Sequence, residues 1–544
     1  MFRWRKAGVF FLGFIPVALA FTASNLASFQ APIPPQQEST HAYDLGMRLL
    51  REKRYQEALE QFKSLEYRSP QLPQGYTGEG IALALMGKPE ASIQALKKAL
   101  DIDHSFWVAR RELGIVYWQL NQKDQAAKEL GDIVELFPDD PAVNLLLGQY
   151  EFERANYRQA SAHFGKAHVQ IAADAGLSLM AAEAQLKSGM KAPAREALEA
   201  LAASPALSPQ QRFHLGWLLE EAGDYPSSIH VLQSLPDDYA DQFGRSYGIA
   251  LAYYEDGQFA NCIGTLSDLK NRKILRPELF SLLGAAEESN HNTVDAYNAF
   301  REGIYTFPND DQNYLNIATL SAQHFNYELA TEILTSGIRL IPNDYKLYLT
   351  RAVVHTLSRQ LQIAQADFEK AVAIAPEQGD AYLGLGICYM DEDRIDDATG
   401  AFRQGVRQQP KDVTLQYFLA DSLFRKGITP GTPAYAEAIS AVETSLSLEP
   451  RFAHGYLQRG RLELLNHEAA KAVVDLETAR SLAPDSREIA YQLAVAYRTV
   501  GKKAEAEKLF SMVTEASEND AAEFRTGQLR DMIITLSNSA HRSN

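Results

Sequence analysis

Histidine, cysteine and closely spaced glycine are the residue types here that could hold a metal, attack a substrate or cradle a phosphate. None stands where that chemistry needs it. His467-Glu468 opens like a zinc-protease helix, but no second histidine follows at the spacing that would put both imidazoles on one helical face. Gly384 and Gly386 flank Leu385 without the third glycine of a dinucleotide loop and without a preceding strand; close helix packing accounts for them. The twelve histidines are scattered, none beside cysteine or carboxylates at metal-ligand spacing. There is no Walker loop, no nucleophile elbow and no stretch large enough for a separate catalytic domain. Lys270, Arg272, Lys273 and Arg276 cluster, but at the end of an expected helix, where cations offset the helix dipole. The sequence therefore predicts no catalytic residue, no metal and no cofactor, and a protein that is not an enzyme.

The elements behind these residues repeat. Gly379–Asp412 reads as two short amphipathic helices, with Asp391–Asp393 as a polar turn and Pro410 as a stop. Stepping by 34 residues gives starts at 39, 73, 107, 141, 175, 209, 243, 277, 311, 345, 379 and 413. After a six-residue insertion the frame resumes at 453 and 487, making fourteen units. Position 8 of every unit is Gly or Ala, from Gly46 to Ala494. Position 20 is Ala eleven times, and otherwise Ser92, Ser228 or Cys262. Position 24 is Phe, Leu or Val, and position 32 is often Pro. Small side chains at 8 and 20 would let the two helices of a unit approach closely, where bulk would overpack them. The large residue at 24 is expected to fill the space towards the next unit. Cys262 and Cys388 fall in units seven and eleven, too far apart along such an array to pair.

This period and its small/small/aromatic/proline signature resemble the tetratricopeptide repeat (TPR). The resemblance covers residues 39–520 and implies an all-α, right-handed superhelical α-solenoid of about fourteen helix hairpins. The insertion at 428–434 should lengthen one turn in unit twelve. Extra prolines (Pro193, Pro205, Pro209) should loosen the second helix and exit of unit five. Phe524, Leu529, Met532, Ile533 and Leu536 form a further apolar stripe, with Arg525 and Arg530 opposite. It is expected to be a capping helix, 521–536, over the last repeat, followed by a disordered tail, 537–544.

In that family the first helices line a concave face, into which positions 2, 5, 9, 12 and 13 point. Mapped here, the resemblance implies a partner-binding set with Trp118, Phe152, Phe213, Trp217, Tyr247 and Tyr254 as aromatic anchors. Glu153, Glu183, Glu220, Glu221, Glu255 and, in unit eight, Glu278 and Glu288 stand beside them, with Arg111 and Lys187 as the few cations. Carboxylates around aromatics favour a basic or neutral peptide. The carboxylate-clamp subtype, with Lys and Asn at positions 5 and 9, is not matched: those positions hold Tyr43 and Met47 in unit one, Arg111 and Ile115 in unit three.

Net charge is −16, from 53 basic and 69 acidic side chains, which argues against nucleic acid as the partner. Arg3, Arg5 and Lys6 precede an apolar run from Ala7 to Ala23, and no charged residue follows until Glu38. Residues 1–23 resemble a signal peptide, cleaved after Ala20, or a signal anchor; either reading places the remainder across the cytoplasmic membrane. Contact with the membrane is expected only through that segment, if uncleaved. Residues 24–38 read as a Pro/Gln-rich linker. The sequence predicts a non-catalytic scaffold or adaptor for a protein or peptide partner. The alternative is a carbohydrate-binding or polysaccharide-export component of the cell envelope, whose aromatics stack on a glycan.

Overall fold

The computed structural model describes residues 37–512 and 518–538. The apolar leader, most of the Pro/Gln stretch and the tail after residue 538 lie outside them. The described residues form 30 helices and no strands, in two units, one through Gln258 and the other from Phe259. The first unit comprises α1 (Gln37–Arg51) with α2 (Tyr55–Arg68), and α3 (Pro73–Leu85) with α4 (Pro89–Ile102). Next come α5 (Trp107–Gln119) with α6 (Lys123–Leu136), and α7 (Pro141–Glu153) with α8 (Tyr157–Lys166) and the short α9 (His168–Ala172). It continues through α10 (Ala175–Lys187), α11 (Lys191–Ala202), α12 (Pro209–Glu221) and α13 (Tyr225–Gln233) to α14 (Gln242–Glu255).

The second unit opens with α15 (Phe259–Asn271). Its hairpins are α16 (Pro277–Ser289) with α17 (Thr293–Thr306), α18 (Gln312–Gln323) with α19 (Tyr327–Leu340), and α20 (Tyr345–Leu357) with α21 (Leu361–Ile374). There follow α22 (Gly379–Asp391) with α23 (Ile395–Gln408), α24 (Val413–Arg425) with α25 (Pro433–Leu448), and α26 (Ala453–Leu465) with α27 (Ala469–Leu482). The last pair is α28 (Arg487–Thr499) with α29 (Lys503–Met512), before the terminal α30 (Glu518–Asn538). In each unit consecutive helices pack as hairpins, and each hairpin packs on the next.

The small positions do the closing. A Cβ built on Gly46, Gly148, Gly284 or Gly386 would stand 2.6, 2.6, 2.3 and 2.3 Å from the ring of Phe62, Phe164, Phe300 and Phe402 respectively. Gly80, Gly114, Gly216 and Gly460 meet a leucine in the same way, at 2.5 to 2.7 Å. Position 24 thus lies over position 8 of its own hairpin, which the expectation of an outward filler left out. It also reaches onward: Phe62 and Phe368 press on Gly78 and Gly384 of the following hairpins, at 2.3 and 2.2 Å from a notional Cβ. Gly384 and Gly386 are therefore both packing glycines, one for each neighbouring ring. At position 20 the side chain meets the facing backbone: Ser92 and Ser228 hydroxyls donate to the carbonyls of Gly80 and Gly216 at 2.7 Å.

Between the helices of each hairpin, position 15 adopts left-handed backbone. Six are Gly, with φ from 72° to 89°. The rest are not, including Ala155 (61°), Phe325 (59°), Asp393 (57°) and His467 (61°). His467 is accordingly a turn residue, and Glu468 occupies the position just before α27 without a side-chain capping bond. The inserted residues of unit twelve lie in such a turn, between Arg425 and Pro433, where Thr432 Oγ1 caps α25. In unit five the second helix α11 is continuous, while its contact with α12 is the sparsest of the hairpin junctions in the first unit. Pro193 falls in the first turn of α11, where no amide hydrogen bond is lost, and Pro209 opens α12 behind a Ser208–Gln211 capping box. The break comes instead in unit four, at Ala167 between α8 and α9.

Two substitutions test this packing. Gly386→Val should force Phe402 aside and remove about 1–3 kcal/mol locally, lowering the urea midpoint of the second unit. Ala155→Gly should relieve left-handed strain and raise the first unit's midpoint, by up to about 1 kcal/mol.

Candidate functional site

In the first unit, the sequence-predicted set divides into clasped, buried and available residues. Arg111 on α5 is clasped. Its Nε donates to Asp140 Oδ2 at 2.9 Å and its Nη1 to Glu112 Oε1 at 2.6 Å. Asp140 meanwhile accepts from the backbone N–H groups of Ala142 and Val143, capping α7. The guanidinium therefore ties one hairpin to the next. Burial pushes the Glu112 carboxyl upward against the pull of Arg111. Glu183 pairs with His214 Nε2 at 2.7 Å, Lys187 with Glu221 at 2.6 Å, and Glu153 with Lys123. Lys123 Nζ also lies 5.3 Å from the ring centre of Trp118. Tyr247 is 2 % exposed and stacked on Phe243, centroids 5.3 Å apart, so it belongs to the core.

The half-buried aromatics remain. Phe152 packs edge-on against Tyr157 at 5.6 Å. Phe213 contacts Trp217 at 6.3 Å and Tyr239 at 5.3 Å. Trp217 on α12 and Tyr254 on α14 are half-buried, with exposed Glu221 and Glu255 on the same two helices. Burial, with Glu255 and Glu221 adding repulsion, pushes the Glu220 carboxyl up to about 7. This stretch holds an aromatic surface next to carboxylates that a cation would relieve.

In the second unit, Glu288 lies within 3.2 Å of His324. Lys270 lies in the last turn of α15, as expected of a helix-end cation, and also reaches Glu302 at 2.7 Å. Cys262 and Cys388 are buried, and burial pushes both thiols up to about 12, which removes them as nucleophiles at neutral pH. Among the described residues no three His, Cys, Asp or Glu side chains are grouped to hold a metal ion. No described helix is long and apolar enough to cross a membrane.

The largest departure from expectation is α30. It does not simply cover the last hairpin, although it touches α28; it lies along the first helices α18, α20 and α22. Leu529, Met532, Ile533 and Leu536 are buried there, at 2, 7, 2 and 7 % exposure. Arg525, expected on the outer side, donates from Nε to Asp391 Oδ1 at 3.0 Å. Phe524 stacks on His454 at 3.9 Å and has Tyr417 and Phe418 at 5.4 and 5.7 Å. Gln312 Nε2 donates to the carbonyl of Leu536 and Thr319 Oγ1 to that of Ile533, both at 3.4 Å. Gln312, Thr319, Asp391, Tyr417 and His454 occupy positions 2, 9, 13, 5 and 2 of their repeats. The position rule thus reaches these residues, which lie beyond unit eight, where the predicted aromatic-and-acid set ends.

Within each unit, helix hairpins stacked in register, with the first helices of successive hairpins in contact, define an α-solenoid of the kind that binds other molecules by surface. Tetratricopeptide-repeat family models match residues 83–150, 356–421 and 179–243. These matches and the helix-hairpin fold support a tetratricopeptide-repeat protein. No curated protein matches it. Among solved structures, yeast Tom70 is 14% identical, with 90% of this chain and 99% of that one covered, at a TM-score of 0.38. The APC/C hetero-tetramer Cut9–Hcn1 is 13% identical over 88% of this chain and 98% of that one, at 0.36. YrrB, described as a TPR protein with an unusual peptide-binding site, is 21% identical over 36% of this chain and 96% of its own, at 0.30.

Glu220 supplies a pH test. A carboxyl raised in the folded state binds more protons there than in the unfolded chain between its ordinary value, 4.5, and about 7. Stability from this group therefore falls as pH rises through that window, and the penalty is complete above it. Glu220→Gln should raise the first unit's thermal midpoint by a few degrees at pH 8 and leave it unchanged at pH 4, in paired melting scans.

Proposed function

We propose that this protein is a non-catalytic scaffold that holds protein or peptide partners along the first-helix faces of its repeats. The observation that carries the reading is the bed of first-helix residues on which α30 lies, since this array thereby accommodates a polypeptide on that face. In the first unit, Trp217 and Tyr254 beside Glu220, Glu221 and Glu255 suit a basic or neutral segment. Several modest sites on one frame would add through effective concentration. We place the array on the far side of the cytoplasmic membrane, on the strength of Arg3, Arg5 and Lys6 ahead of the apolar run from Ala7 to Ala23.

The purified chain should bind members of a basic peptide panel, and replacing Trp118, Trp217 and Tyr254 together by Ala should weaken that binding at least tenfold with the circular dichroism unchanged. Binding to glycan panels with none to peptides would favour the carbohydrate reading instead. Sequencing the mature N-terminus from a fractionated envelope should begin at Phe21 or, for an anchor, at Met1 in the membrane fraction.

A further inference from the structure

We propose that the first-helix face of the second unit is a receptor for one amphipathic helix, and that α30 is its resident occupant, which a partner helix of the same pattern must displace. The proposal rests on the scaffold reading above and deepens it for this face. The occupant's pattern is Phe524-Arg525, then apolar residues five, eight, nine and twelve positions after the phenylalanine. The face matches it at both ends. At the helix start, His454, Tyr417 and Phe418 surround the phenylalanine and Asp391 pairs with the arginine. At the helix end, Gln312 and Thr319 donate to main-chain carbonyls, and that of Leu536 is one of the last-turn acceptors a helix leaves unsatisfied. Contacts to main-chain oxygens carry no sequence requirement, so any helix of this pattern ending at this place can receive them.

The resident helix is also weaker than its seat demands. Gly527 lies inside α30, and a Cβ built there meets nothing within 4 Å. Packing does not require glycine at this site, while glycine inside a helix lowers its stability against alanine by roughly fivefold in the equilibrium constant. Every other contact gains from a firm helix; this residue lowers the occupant's hold. A helix supplied by another protein, with the same anchors and no glycine, has the advantage.

The test uses the full chain and a fluorescein-labelled peptide of residues 518–538 carrying Gly527→Ala, read by anisotropy. Wild-type protein should bind the peptide weakly, because only the vacated fraction competes. Leu529→Asp/Ile533→Asp in the chain should unseat α30 and tighten peptide binding at least tenfold. Gly527→Ala in the chain should act oppositely, weakening it about fivefold, and cannot be dismissed as misfolding because it strengthens a helix. In the unseated chain, Asp391→Arg should lose peptide affinity, and a peptide with Arg525→Asp should regain it. Equal affinity for all chains, absence of binding to any, or no response to the charge exchange would overturn the proposal. The peptide panel for Trp118, Trp217 and Tyr254 reads the other unit, so either reading can fail alone.

Discussion

One contact governs this architecture: a large apolar side chain of the second helix resting on the bare backbone of the first. At Gly284 and Gly386 a single added carbon would come within 2.3 Å of a phenylalanine ring. Such proximity draws the two helices of a hairpin together, and the same ring presses onward where the next hairpin offers Gly78 or Gly384. Dispersion and apolar burial therefore accumulate along the chain as a series of neighbour contacts.

Within each unit the first helices of successive hairpins also pack on one another, and it is their exposed face that we propose meets a partner. Its chemistry differs along the array. In the first unit many charged members of the face are already paired across hairpins, as Arg111 with Asp140 and Lys187 with Glu221 are. These ion pairs tie one hairpin to the next, while the proposed binding rests on the half-buried aromatics and on carboxylates such as Glu220, which burial and its acidic neighbours push upward. In the second unit the face carries α30, held by an aromatic cage at one end and main-chain acceptors at the other.

The hairpin count, the helix spans and the place of the inserted turn were legible in the sequence because each follows from a short-range rule. Gly or Ala at position 8 and a small residue at position 20 recur without exception. The left-handed turn at position 15 was only half visible: Gly87, Gly189 and Gly223 mark it, whereas Ala155 and Phe325 adopt the same backbone under the constraint of their neighbours. The helix break at Ala167 carries no proline or glycine to announce it. The seat of α30 was least legible. An apolar stripe states that a helix must be covered but not by what, and its partners lie far off in the chain, as Arg525 to Asp391 and Phe524 to His454 show. Tyr247 misled for a related reason: its position in the repeat points to the open face, yet stacking on Phe243 draws it inside.

The central claim is that the first-helix face, and not the outer surface of the second helices, meets the partner. A photocrosslinking amino acid placed singly at Trp118, Trp217 and Thr319, and for comparison at the exposed second-helix residues Tyr67, Val294 and Tyr305, would test it in living cells. The account predicts protein adducts at the first three positions, with Thr319 capturing either α30 or the helix that replaces it, and none at the other three. Adducts confined to Tyr67, Val294 and Tyr305 would contradict it.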